Sequence, residues 1–63
     1  MNNYRKIILK CLEQNLIQAR WDGDTLLIDE ELGADTVFKV LRSNQNIASI
    51  PAVLEVPASE LIH

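Results

Sequence analysis

From Asn3 to Gln14 the apolar residues Tyr4, Ile7, Ile8, Cys11 and Leu12 recur at spacings of three and four. At about 100° per residue they share one face of a helix. Lys6, Lys10, Glu13 and Gln14 fall on the opposite side, while Leu9 and Leu16 lie beside the stripe and widen the apolar arc beyond what one packing layer uses. Asn2 or Asn3 is placed to cap the start, although Arg5 and Lys6 in the first turn oppose the helix dipole. Asn15 would project from the apolar face and tolerates the left-handed conformation, so the helix is expected to end at Gln14 or Asn15.

The pattern then changes period. Leu16 to Trp21, then Asp22-Gly23, then Asp24 to Ile28 read as a β-hairpin, because Asp-Gly tolerates the positive φ of a type I′ turn. With Asp22-Gly23 as a two-residue loop, Trp21 opposes Asp24, Ala19 opposes Leu26 and Ile17 opposes Ile28. Ile17, Ala19, Leu26 and Ile28 then share one face. Arg20 with Thr25 and Gln18 with Leu27 occupy the other, which leaves Leu27 on the outside.

Past Asp29-Glu30-Glu31, the segment Ala34 to Ser43 puts Ala34, Val37, Phe38 and Leu41 on one helical stripe. With Gly33 as N-cap, Leu32 and Val37 take the positions of a hydrophobic staple, and Asp35, Lys39 and Arg42 complement the dipole. The competing reading is a strand over Thr36 to Leu41, whose Thr-Val-Phe-Lys-Val-Leu is β-prone; the staple and charges favour the helix. Pro51 confines the strand Ala52 to Val56 to a sheet edge or to a start at Pro51, and Pro57-Ala58-Ser59-Glu60 can open a last helical turn ending at His63. The expected fold is a small two-layer α+β domain of order α-β-β-α-β, with two helices and a three-stranded, mainly antiparallel sheet.

Size makes this core thin. Residues 1–63 form a single small domain, and a chain this short buries only about 60% of its extended surface. Such domains commonly lean on disulfides, a metal or a partner chain. The single cysteine, Cys11, excludes an internal disulfide and a cysteine-based zinc site, which leaves association as the remaining support. No apolar run approaches the roughly 18 residues of a membrane span, no signal-peptide pattern opens the chain, and the unpaired thiol fits a cytoplasmic protein.

The net charge of −3 conceals an uneven layout. Residues 1–20 set Arg5, Lys6, Lys10 and Arg20 against Glu13; residues 22–35 hold Asp22, Asp24, Asp29, Glu30, Glu31 and Asp35 with no base among them. These acids do not follow the order of a calcium-binding loop, so no metal is expected there. They are read first as a solvated surface. The sharper reading is an acidic inhibitor or decoy that binds a basic, nucleic-acid-handling protein through residues 22–35. Nucleic-acid binding through Arg5, Lys6, Lys10 and Arg20 is a weaker alternative, since no aromatic platform or helix-turn-helix signature accompanies them.

Catalytic chemistry finds little support. His63 is the only histidine and stands last, Ser43, Ser49 and Ser59 lie in no nucleophile elbow, and two glycines cannot cradle a phosphate. Cys11 sits on the apolar stripe and reads as core. No resemblance to a known family is carried by these residues. No enzyme activity, cofactor or small-molecule substrate is therefore expected, and the leading expectation is a protein-interaction or regulatory module that forms a homodimer or binds another protein. The apolar surface assigned to it is Leu9, Leu16, Trp21, Leu27 and the edge strand near Val53.

Overall fold

A computed structural model describes residues 3–62 of the chain. The elements run α1 (Tyr4–Gln14), β1 (Ala19–Asp22), β2 (Thr25–Asp29), α2 (Ala34–Arg42) and β3 (Ala52–Val56), followed by a 3-10 turn at Ala58–Glu60. Asn2 as an alternative cap and His63 as the end of the last turn lie outside the described residues.

The two-helix, three-stranded α+β architecture agrees with the sequence pattern, and the segment Ala34–Arg42 is helix rather than strand. The sheet is a correction. Its order is β1-β2-β3; β1 and β2 are antiparallel, but β2 and β3 are parallel, pairing Leu26 with Val53 and Ile28 with Glu55. The cause is α2, which carries the chain back along the sheet so that β3 restarts in the direction of β2. The sheet is therefore mixed rather than mainly antiparallel.

The hairpin is displaced by one residue from the expected loop. Its register pairs Ala19 with Ile28, Trp21 with Leu26 and Asp22 with Thr25, so the loop is Gly23-Asp24 rather than Asp22-Gly23. Gly23 takes φ 60° while Asp24 is not in the left-handed region, the φ pattern of a type II′ turn with glycine first. Moving the loop by one residue shifts each cross-strand partner by two. The faces therefore survive: Ala19, Trp21, Leu26 and Ile28 still point one way and Arg20 and Leu27 the other.

Helix α1 ends where expected, by a different device. Asn15 is not left-handed; Leu16 is, at φ 60°. The Ile17 N–H donates to the Leu12 carbonyl at 2.8 Å and the Leu16 N–H to the Glu13 carbonyl at 3.0 Å, the bond pair of a Schellman motif. Asn15 contributes through its side chain, whose Nδ2 donates to the Cys11 carbonyl at 2.8 Å. At the other end the Asn3 side chain makes no capping bond.

Both helices cover one face of the sheet. Ile8, Cys11 and Leu12 of α1, Val37 and Leu41 of α2, Leu26 and Ile28 of β2, and Ile17 form the main core. Leu32 packs against the same cluster, as its staple position requires. On the opposite face a smaller cluster joins Leu27, Val56 and Leu61, brought there when the chain turns at Pro57 and folds back over the sheet. Arg20 Nε donates to the Glu60 carbonyl at 2.7 Å and ties this tail to β1. Among the described residues, no helix is long and apolar enough to cross a membrane.

Candidate interaction surface

The five residues expected to be left over from the core have different fates. Leu9, Trp21 and Val53 are half-buried and pack against the main cluster. Leu27 is 3% exposed, roofed by Val56 and Leu61, so the expectation of an uncovered Leu27 is corrected: the tail closes that face. Leu16 alone stands out fully, at 95% exposure. Sequence reasoning missed Leu54 and Ile62, which are 53% and 66% exposed. Alternation along β3 had the signal for Leu54, since placing Val53 on the core side turns Leu54 outward.

Trp21 is held from several sides. The Arg5 guanidinium lies 5.3 Å from its ring centroid, the Tyr4 ring is 6.4 Å away at 46°, and the indole N–H donates to the Arg5 carbonyl at 3.4 Å. Arg5 also pairs with Asp24 at the hairpin tip. These contacts pin the turn to the start of α1 and make Trp21 the edge of the core. Of the four basic residues in the first third, Arg5 and Arg20 are thus engaged internally, leaving Lys6 and Lys10 as the exposed cations of α1.

The acidic run is divided by the fold. Asp22 and Asp24 flank the hairpin tip, while Asp29, Glu30, Glu31 and Asp35 lie at the far end of β2. The four residue steps from Thr25 to Asp29 separate the groups by about 13 Å. Asp29 Oδ1 accepts the Glu31 N–H at 2.8 Å, a local turn that fixes its carboxylate. The structure adds a fifth acid to the far group: Glu55 reaches from β3 to the start of α2, where its Oε2 accepts the Ala34 N–H at 2.7 Å. Among the described residues no group of three or more acid, cysteine or histidine side chains is arranged to hold a metal ion.

No family model, curated protein or solved structure matches this chain. The geometry is therefore what the functional reading rests on. A cleft of about 260 Å³ lies between α1 and the turn after α2, lined by Ile7, Lys10, Cys11, Gln14, Asn44 and Asn46. Its amides are partly committed, since Asn44 Oδ1 accepts the Asn46 N–H at 2.8 Å, and Cys11 at its floor is only 4% exposed. The second unpartnered feature is β3. It is an edge strand with Leu54 on the sheet face away from the helices, in register with Leu27.

Proposed function

We propose that this chain is a non-enzymatic interaction module that self-associates as a homodimer through apolar surface its own core leaves uncovered. The observation that carries the reading is Leu54, a leucine 53% exposed in the middle of an edge strand and beside the small Leu27, Val56 and Leu61 cluster. A second copy set against it would bury apolar area and thicken a core that is thin by size alone. The reading takes the cytosol as its compartment, on the strength of one unpaired, buried thiol. Sedimentation equilibrium across the micromolar range tests it: wild type should shift from monomer to dimer with concentration, and Leu54→Glu should stay monomeric. A wild type that remains monomeric throughout overturns the reading.

A second reading, the acidic decoy, rests on the far group of acids. Glu30, Glu31 and Asp35 are exposed, and among the described residues no ion pair engages them. Their carboxylates are free of close ion pairs among those residues, which suits long-range attraction to a basic partner. Capture on a basic, nucleic-acid-handling protein should weaken with added salt and be lost on reversing Glu30 and Glu31 to Lys. Equal binding by the reversed variant removes this reading.

A further inference from the structure

We propose that two copies join edge to edge through β3, antiparallel about a two-fold axis at Leu54, making one six-stranded sheet. This rests on the self-association reading and specifies its geometry. The Glu30 N–H donates to the Val56 carbonyl at 2.9 Å, so the backbone groups of Val56 face β2. Because backbone direction alternates along a strand, those of Leu54 and Ala52 face β2 as well, and the N–H and C=O of Val53 and Glu55 point away from the sheet. These four groups are the free edge.

One register satisfies them all. With Leu54 opposite Leu54 of the second copy, Val53 opposes the partner's Glu55 and the reverse, and each such pair exchanges two backbone hydrogen bonds. The two Leu54 side chains meet at a non-hydrogen-bonded position, where cross-strand side chains are closest. Slipping the register one way sets Glu55 against the partner's Glu55. Slipping it the other way sets Glu55 against Pro51, which has no N–H to give. Pro51 and Pro57 bracket the strand at outward-facing positions, so the ladder ends at both sides of the same five residues.

The other edge does not offer this. An antiparallel self-pairing of β1 that joins Ala19 to the partner's Trp21 sets Arg20 against Arg20, a like-charge contact. Pairing β1 with β3 of another copy is heterologous, so it cannot close as a two-fold dimer and leads to rings or open filaments. The isologous β3 contact also places each Leu54 beside the other copy's, extending the outer cluster across the axis.

Cysteine cross-linking reads the register. Opposed α-carbons at a non-hydrogen-bonded antiparallel site lie about 4.5 Å apart, within disulfide range. Under mild oxidation Leu54→Cys should form covalent dimer about tenfold faster or more than Leu16→Cys, which is exposed and leads into β1, the opposite edge strand. Val53→Pro removes an outward N–H and no bond to β2; it should keep native circular dichroism and lose dimerisation in sedimentation. If wild type sediments as a dimer but Leu54→Cys cross-links no faster than Leu16→Cys, the β3 geometry is wrong and self-association stands. If wild type is monomeric and Leu54→Cys shows no excess, both fail.

Discussion

Glu55 on β3 closes the start of α2 from across the chain, its Oε2 accepting the Ala34 N–H at 2.7 Å. Gly33, the N-cap residue, has no side chain to do this and sits at φ 89°, ψ 144°, a conformation that favours glycine. A capping oxygen usually comes from the N-cap residue itself; here it comes from Glu55, 21 positions after the Ala34 N–H it accepts. One hydrogen bond thus links the parallel strand to the helix that makes it parallel. Glu55→Ala leaves that N–H without its protein partner and should cost about 1 kcal/mol in urea denaturation, while Glu55→Gln, which keeps an acceptor, should cost less. Equal stability of wild type and the Ala variant would show that the contact does not persist in solution.

The hairpin tip gives a contrast of magnitudes. Asp24 is 97% exposed and its partner Arg5 43% exposed, so Asp24→Ala should change stability by no more than about 0.5 kcal/mol. Trp21 packs against the core between Arg5 and Tyr4, and Trp21→Ala should cost about 2 kcal/mol, below the range for a fully buried tryptophan because the ring is only half-buried. Thermal unfolding followed by circular dichroism compares the two. A larger loss from Asp24→Ala than from Trp21→Ala would mean that the ion pair, not the ring, holds the turn.

What the sequence reveals of this fold tracks how local its causes are. The stripe on α1, the stripe and dipole charges on α2 and the alternation in the hairpin all act within a few residues, and each element lies where they put it. The hairpin faces survive a misplaced loop because side-chain alternation depends only on parity. The direction of β3 is implied by the strand-helix-strand order, which calls for a parallel pair, and the expectation of a mainly antiparallel sheet does not use that order. The tail over Leu27 and the reach of Glu55 to Ala34 left no periodic signal, since each joins residues far apart in sequence. For the interaction surface the same holds: Leu16 was legible as a residue outside the stripe, whereas burial of Leu27 and exposure of Leu54 depend on where the tail and β3 settle.

The tail provides a test of the second core. Leu61 is 6% exposed against Leu27 and Val56, in a segment held to β1 by the Arg20 to Glu60 bond. Leu61→Ala should cost about 2 kcal/mol, the low end for a buried leucine because only a thin layer surrounds it. Leu27→Ala in the same background should cost less than in wild type, since the cavity is already open. Strict additivity in a double-mutant cycle would show that the tail does not cover Leu27.

Leu16 combines two unfavourable properties, a left-handed backbone and nearly complete exposure, at a position where other helices carry glycine. The positive φ costs a residue with a β-carbon about 1–2 kcal/mol, and Leu16 recovers none of it by packing within the monomer. The Schellman bonds come from the backbone, so a side-chain change leaves them intact. Leu16→Gly should therefore raise stability by about 1 kcal/mol, and Leu16→Ala, which keeps a β-carbon at the same φ, should stay within about 0.5 kcal/mol of wild type. Chemical denaturation of the three proteins separates the explanations. A gain in both variants would assign the effect to removal of exposed apolar surface, and a loss in Leu16→Gly would show that residue 16 is not left-handed in solution.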